Sequence, residues 1–311
     1  MKIGLMLGGG GAKGAYQLGV LKALGEQKLM NQIDCIAGAS IGALNGFYYL
    51  ASQDINQVIY AWRYGIKHNP IQFKKKARIK EENQTGLFSL QVLREMGALY
   101  FDEEIFKTTK TDIFVSTTKV VNPKLSGVVM RWKWENEIIH LNNSPVPFED
   151  AISSSSVPII FGTNNVHESY YIDGGLTNNN PIDVLIKEGC DLIFSSSLDP
   201  KYNYKQYKDH KVIIVNLTSR EALPKTSIKS YAAVLNFNQD LFEHRINYGY
   251  YTTQEMIKEC ISKGILKLED NKVIPCDKVE EFQLIDVPVY INGNIKVMRH
   301  KHETNLRQKE K

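Results

Sequence analysis

Short apolar runs alternate with longer amphipathic stretches through the first fifty residues. The run Ile3 to Leu7 ends in glycines, and the leucines that follow lie at helical spacing, which predicts a helix over 15–29. A second apolar run, Cys35 to Ala39, leads into an apolar helix over 41–51. Strand, helix, strand and helix in this order predict two neighbouring parallel strands, whose following loops meet at one edge of the sheet.

The same pattern continues further along the chain, with less regular spacing. Helices are predicted over 55–64 and, with Ser89 as the capping residue, up to Gly97. Strands are predicted at five further places, namely 113–117, 126–134, 170–172, 191–195 and 212–217. The mixture predicts an α/β fold with three layers, α/β/α, around a mainly parallel central sheet.

The pattern becomes mainly helical after residue 226. Helical spacing runs from about Ser227 through Phe242 and again over 253–262, a last strand is predicted over 283–291, and 300–311 is a polar tail. We therefore predict a first domain over 1–220 and a mostly helical C-terminal extension over 221–311, packed on the core.

Composition and charge exclude several classes of protein. Apolar residues make up 43% and charged residues 23%, as in ordinary soluble proteins. The net charge is +4, and basic residues are concentrated in the run Lys74 to Lys80, which lacks the interleaved aromatic residues of a nucleic-acid-binding surface. We therefore predict no nucleic-acid partner. The four cysteines form no C-x-x-C pair, the first apolar run is too short for a signal peptide, and the window 36–51 is too short to span a bilayer. These observations predict a cytoplasmic protein with free thiols.

The turn after the second strand carries the first candidate for chemistry. Gly38-x-Ser40-x-Gly42 has the pattern of a nucleophile elbow, in which two glycines allow close packing and the serine is held in a strained conformation. The helix that begins after Ser40 would direct free N–H groups and its positive dipole end toward the serine. The alternative is a glycine-rich turn in which Ser40 only caps the helix.

The glycine loop after the first strand has two misleading resemblances. Its G-x-G-x-x-G spacing suggests a dinucleotide site, but Asp34 opens the second strand, whereas a dinucleotide fold has its acidic residue at the end of that strand. A phosphate-binding P-loop needs a lysine after the last glycine, and here Lys13 precedes Gly14. The loop instead predicts backbone N–H donors for an oxyanion, contributed by the segment Gly9, Gly10, Gly11, Ala12, Lys13 and Gly14.

A general base must accompany the serine. The histidines after the elbow that could serve have no local pattern of a catalytic loop; these are His140, His167, His210 and His244. Asp173, by contrast, ends a predicted strand and is followed by Gly174 and Gly175, which permit close approach. We interpret Asp173 as the base.

Three segments in this order resemble the signatures of the patatin-like phospholipases. They are 9–14, 38–42 and 173–175, and the resemblance covers roughly residues 3 to 218. It implies a patatin-like catalytic domain with Ser40 as nucleophile, Asp173 as base and the 9–14 loop as oxyanion hole. It also implies hydrolysis of acyl esters of phospholipids, lysophospholipids or other lipids, without a metal or other cofactor. Lys13 departs from the family pattern, because many members have arginine there.

The resemblance also indicates the partners. A lipid ester is the expected substrate, and without a spanning segment the protein is expected to be cytoplasmic and to touch membranes transiently. The basic run Lys74 to Lys80 is the hypothesised contact with anionic lipid, against the alternative of an ordinary solvated loop. A second alternative for the whole chain is a catalytically silent lipid-binding or regulatory protein on the same fold.

Overall fold

The computed structural model describes residues 1–68, 72–73, 88–122, 130–158, 160–219, 223, 238–269, 272–275 and 279–286. Its strands are β1 Ile3–Leu7, β2 Cys35–Ala39, β3 Gln72–Phe73, β4 Phe88–Ser89, β5 Asp112–Val120, β6 Glu135–His140, β7 Asn164–Val166, β8 Ser169–Asp173, β9 Leu192–Ser196, β10 Ile213–Asn216, β11 Leu266–Glu269, β12 Lys272–Pro275 and β13 Gln283–Ile285. Its α-helices are α1 Ala15–Glu26, α2 Ile41–Ser52, α3 Ile55–Lys67, α4 Gln91–Tyr100, α5 Glu103–Lys107, α6 Pro147–Ser154, α7 Ile182–Lys187 and α8 Gln239–Ser262.

The main sheet has nine strands within the described residues. Its order is β13-β10-β9-β1-β2-β5-β8-β7, and β6 also pairs with β5. Every pair from β13 to β5 is parallel, whereas β6, β8 and β7 join antiparallel. The parallel pairing of β1 with β2 confirms the prediction from the first fifty residues.

Helices cover both faces of the sheet. Alternate residues of a strand point to opposite faces, and accordingly Leu5 and Leu7 lie in one hydrophobic core while Met6 lies in another. The larger core is completed by α1, α2, α3 and α8, and the smaller one by α7 and the aromatic turn at Tyr204 and Tyr207. The predicted three-layer α/β/α architecture with a mainly parallel sheet is confirmed.

The C-terminal part contributes to both the helical layer and the sheet. Two separate helical stretches are predicted here, but within the described residues a single helix, α8, runs from Gln239 to Ser262. It packs along α1. Strands β11 and β12 form a hairpin, and β13 adds a parallel strand to β10 at the edge of the sheet. The boundary at residue 220 stays a prediction. Among the described residues, no helix combines the length and apolar character needed to cross a membrane.

Two local predictions are wrong, and others concern residues outside the description. The predicted strand over 126–134 is contradicted in its described part, 130–134, because Arg131–Lys133 forms a 3-10 turn and β6 begins only at Glu135. Residues 126–129 lie outside the described residues. Ser89 does not cap α4; it pairs within β4, and the N-cap position belongs to Leu90, which makes no side-chain cap bond. The basic run Lys74 to Lys80, the start of the predicted helical stretch over 227–237 and the predicted tail over 300–311 lie outside the described residues.

Candidate active site

The turn between β2 and α2 holds Ser40 in a strained backbone conformation. Its φ of 54° and ψ of −127° lie on the side of φ that residues with a side chain rarely adopt. Such conformations cost about 1–3 kcal/mol and persist only where the surroundings enforce them. Here the backbone N–H of Ser40 donates to Ser154 Oγ at 2.8 Å, and that hydroxyl donates to the Ser116 carbonyl at 2.6 Å. Ser40 is nearly buried, with 7% of its surface exposed.

The glycines of the elbow are required by close backbone packing. A Cβ on Gly42 would lie 2.0 Å from the carbonyl oxygen of Leu7, and one on Gly38 would lie 2.8 Å from the backbone of Ala43. Both distances are shorter than any real carbon contact, so only glycine lets α2 approach β1 and β2 this closely. The predicted packing role of Gly38 and Gly42 matches this geometry.

Strand β5 brings the serine and the aspartate together. Ala39, the last residue of β2, pairs with Ser116, and Asp173, the last residue of β8, pairs with the next residue, Thr117. Because β6 occupies the opposite side of β5 at both positions, β2 and β8 lie on the same side and meet end to end. Ser40, which follows Ala39 directly, is therefore placed beside Asp173.

The side chains of Ser40 and Asp173 are joined by a short hydrogen bond. Ser40 Oγ donates to Asp173 Oδ2 at 2.5 Å, and the N–H of Gly175 donates to the other carboxylate oxygen at 2.8 Å. The Ser40 side chain makes no cap bond to α2, so the alternative of a merely capping serine is wrong. Gly174 allows the chain after Asp173 to pass directly against the backbone of β5, because a Cβ there would lie 1.7 Å from the Ser116 carbonyl oxygen.

Burial changes the acidity of the aspartate. Asp173 is 6% exposed, and loss of hydration raises its pKa from 3.8 to about 6. The hydrogen bonds from Ser40 and Gly175 favour the charged form and partly oppose this rise. The result is a carboxylate that is ionised at neutral pH and binds a proton more readily than an exposed one.

The glycine loop lies directly against Ser40. A Cβ on Gly9 would come within 3.0 Å of Ser40 Cβ, and the Gly9 N–H donates to the Asn179 carbonyl at 3.2 Å. Residues Gly11–Gly14 form a 3-10 turn, closed by the bond from the Lys13 N–H to the Gly10 carbonyl at 3.2 Å. Within the part of the chain that the structure describes, the N–H groups of Gly10, Gly11 and Ala12 donate no turn, loop or cap hydrogen bond to the backbone. These three N–H groups are therefore the candidates for binding an anion.

The remaining predicted members of the loop are occupied by internal contacts. Lys13 is buried, and its Nζ donates to the Leu198 carbonyl at 2.8 Å. Burial lowers the pKa of Lys13, while Asp199 acts in the opposite direction. Gly14 packs against Ile41, because a Cβ there would lie 2.4 Å from its side chain. The Lys13 ammonium is therefore directed into the protein, at a backbone carbonyl.

The four candidate histidines have other surroundings. His140 Nε2 lies 2.9 Å from Asp112 Oδ1, and His167 Nε2 lies 2.9 Å from Asp150 Oδ1. His210 is exposed in a turn, and the ring of His244 packs on Tyr248 at 4.6 Å between centroids. The described geometry thus pairs the serine hydroxyl with a carboxylate.

Three polar residues of the site were not singled out from the sequence. Ser154 fixes the backbone of Ser40 through its hydroxyl, and Asn179 contacts the glycine loop through the carbonyl bond already described. Asn45 is fully buried and donates from Nδ2 to the Gly14 carbonyl at 3.1 Å. The serine run over 153–156 was a visible signal for the first of these, since four serines in a buried segment need partners. The other two have no local signal.

Comparisons with known proteins identify one matching family model and several similar proteins. A family model described as patatin-like phospholipase matches residues 5–186. A probable lipid hydrolase, 463L, of Invertebrate iridescent virus 6 is 26% identical over 247 residues, which are 75% of this chain and 76% of that protein. Neuropathy target esterase sws of Drosophila melanogaster is 46% identical over 201 residues, 60% of this chain but 12% of that much longer protein. Human GIVD cytosolic phospholipase A2 aligns with a TM-score of 0.49 and 11% identity, covering 84% of this chain and 62% of that one.

Proposed function

The chain belongs to the patatin-like phospholipase family, and from this premise we propose that it hydrolyses carboxylic esters of lipids, with Ser40 as nucleophile and Asp173 as base. The observation that carries the proposal is the 2.5 Å bond from Ser40 Oγ to Asp173 Oδ2, made by a serine in a strained elbow. A serine hydroxyl becomes an effective nucleophile when an adjacent base accepts its proton.

The acylation step follows from this pairing. Ser40 Oγ attacks the ester carbonyl carbon while its proton passes to Asp173 Oδ2, and the carbonyl oxygen becomes an oxyanion. The N–H groups of Gly10, Gly11 and Ala12 are the donors for that oxyanion, and one such donor is worth roughly 3–4 kcal/mol in the transition state. The tetrahedral intermediate collapses, the alcohol leaves with the proton from Asp173, and an acyl group stays on Ser40.

Water completes the cycle. Asp173 takes a proton from water, the hydroxide attacks the acyl carbonyl, and Ser40 recovers its proton as the fatty acid leaves. A carboxylate with a pKa of about 6 accepts the serine proton less readily than a base whose pKa is close to 7. Substrates with good leaving groups are therefore favoured. Esters are therefore expected to react and amides to resist.

We assign the substrate class more finely as phospholipids or lysophospholipids. Support comes from the family and from two relatives, one named as a probable lipid hydrolase and one as an esterase. Release of fatty acid from a panel of phospholipids, lysophospholipids and neutral glycerides, followed by mass spectrometry, tests this assignment. Hydrolysis restricted to neutral glycerides would contradict it.

The decisive experiment uses the purified protein and a short-chain nitrophenyl ester. Ser40→Ala and Asp173→Asn are each expected to lower kcat by about 100-fold or more, the scale of general-base and nucleophilic catalysis. His140→Ala and His167→Ala serve as matched controls and are expected to keep most of the activity. A comparable loss in either histidine variant would indicate a catalytic triad and contradict the Ser40–Asp173 dyad. Activity that survives in Ser40→Ala would refute the assignment of Ser40 as nucleophile.

We also propose transient contact with an anionic membrane surface through Lys74 to Lys80. The support is the sequence alone, since each basic residue near such a surface adds about 1 kcal/mol of attraction, which salt screens. Sedimentation with phosphatidylserine vesicles should show binding that weakens with salt and is lost when the five basic residues are glutamines. Equal binding by both proteins would leave this run as an ordinary solvated loop.

A further inference from the structure

Helix α8 lies beyond the segment matched by the family model, yet it reaches the glycine loop. It crosses α1 at a pair of glycines: a Cβ on Gly19 would lie 1.9 Å from the Ile246 carbonyl oxygen, and one on Gly249 would lie 1.9 Å from the Tyr16 carbonyl oxygen. The two backbones are therefore in direct contact at this crossing. One turn before Gly249 on α8 is Arg245, which this crossing places at the N-terminal end of α1, where the glycine loop enters.

Arg245 makes a buried hydrogen bond to this loop. Its Nη1 donates to the Ala12 carbonyl at 2.9 Å, and the residue is 3% exposed. The Ala12 carbonyl belongs to the 3-10 turn that carries the candidate N–H groups. Because a peptide unit is planar, the Ala12 carbonyl is coplanar with the Lys13 N–H, which itself donates to the Gly10 carbonyl. The bond from Arg245 therefore constrains the turn that links Gly10 to Lys13.

The same region holds a second buried cation. Lys13, from within the turn, is bonded to the Leu198 carbonyl at 2.8 Å, so the loop is held by the segment just after β9 on one side and by α8 on the other. Burial lowers the pKa of Arg245 to about 10, which still leaves the guanidinium charged at neutral pH. Two buried cations, Lys13 and Arg245, therefore make hydrogen bonds that hold the glycine loop.

We propose that Arg245 is a positioning residue of the active site, which holds the peptide groups of Gly10, Gly11 and Ala12 in the orientation needed to stabilise the oxyanion. The proposal rests on the proposed esterase function. It assigns to the C-terminal helix a role in the reaction in addition to packing. Arg245 acts through the Ala12 carbonyl and is not required to touch the substrate.

Three variants separate positioning from packing. Arg245→Met keeps an unbranched apolar stem but removes the donor and the charge, whereas Arg245→Lys keeps a cationic donor. Met256→Ala, three turns along the same helix and 1% exposed, removes buried packing far from the loop and is the matched control for stability. All are assayed as full-length protein with a short-chain nitrophenyl ester, below the unfolding temperature of the least stable variant.

Positioning predicts a loss confined to the chemical step. Arg245→Met is expected to lower kcat by about tenfold or more with KM nearly unchanged, since removal of an oxyanion donor itself costs about 100-fold or more. Arg245→Lys should recover most of kcat, and Met256→Ala should keep it despite its lower stability. If Arg245→Met retains the kcat of the control, or if KM alone changes, the proposal is overturned.

A second measurement does not depend on activity. Amide hydrogen exchange followed by mass spectrometry should show faster exchange in peptides covering residues 9–14 of Arg245→Met, because the bonds of the Gly9 and Lys13 N–H groups are loosened. Met256→Ala should show faster exchange around α8 instead. Unchanged exchange of the loop would refute the positioning role. An unmutated protein that hydrolyses no ester would refute the proposed function, while the exchange result would still decide the role of Arg245.

Discussion

Replacement of Asp173 by asparagine should remove activity and at the same time stabilise the protein at neutral and alkaline pH. In the native state, burial raises the pKa of Asp173 from 3.8 to about 6, so folding holds an ionised group in surroundings that disfavour its charge. At about 1.36 kcal/mol per pKa unit, the difference corresponds to about 3 kcal/mol of stability lost by the unmutated protein. Asparagine can still accept from the Gly175 N–H and bond the Ser40 hydroxyl, but it carries no charge.

The sign of the pH dependence follows from proton binding. Below about pH 4 the carboxyl is protonated in both the folded and the unfolded state, and Asp173 costs nothing. As the pH rises from about 4 to about 6, the unfolded state loses its proton first, and the stability of the unmutated protein falls. Above about pH 6 the full cost is present. The advantage of Asp173→Asn should therefore be about 3 kcal/mol at pH 8 and close to zero at pH 4.

Urea unfolding of both proteins between pH 4 and pH 8 measures this difference, since contributions from all other groups cancel between them. Ser40→Ala is a useful third variant. It removes a hydrogen bond that lowers the pKa of Asp173, so the pH window of lost stability should move upward. A difference between Asp173→Asn and the unmutated protein that does not vary with pH would refute the raised pKa.

Four further outcomes are expected. Ester hydrolysis should fall about tenfold per pH unit below pH 6, as Asp173 becomes protonated, in a pH series of kcat. Ser40→Gly should exceed Ser40→Ala in stability by about 1–3 kcal/mol in urea unfolding, because glycine adopts the φ of 54° without strain. Gly42→Ala should prevent folding, judged by circular dichroism, whereas Gly25→Ala, in a helix with no atom within 4 Å of the new carbon, should gain about 0.5–1 kcal/mol. Asn45→Ala should lower the melting temperature by an amount equivalent to about 2 kcal/mol or more, since it removes the acceptor of the buried Trp62 indole N–H and the side-chain donor to the Gly14 carbonyl.

The sequence predicts the parts of the fold in which local pattern and tertiary role coincide. Strand β2 is found at the predicted residues, Cys35 to Ala39, because a five-residue apolar run bounded by a polar residue and an abrupt turn has few other structures available. The end of β8 at Asp173 was also predicted, since the following glycine pair breaks the strand. In both places the residues next to the site carry the signal themselves.

Other features depend on pairings that no local pattern contains. Strand β6 was missed because its first residues, Glu135 to Glu137, are polar and partly exposed at a sheet edge, so they lack the apolar run that marked the other strands. Without β6, the end-to-end arrangement of β2 and β8 along β5 could not be deduced. The contact from Arg245 to Ala12 spans 233 residues, and a basic residue in a helix has many equally plausible surface positions.

The dyad and the glycine loop share some contacts but differ in others, and this difference determines how substitutions should act. Ser40 and Asp173 are both tied to β5 at Ser116 and Thr117, through strand pairing and through the Ser154 hydroxyl, so a small shift of β5 moves them together and preserves the distance between them. The glycine loop follows β1 and has further contacts to Leu198, just after β9, and to Arg245 of α8, besides its bonds to Asn179 and Asn45. Changes in α8 should therefore displace the oxyanion donors relative to an intact dyad, which leaves a reactive serine with a poorly stabilised intermediate.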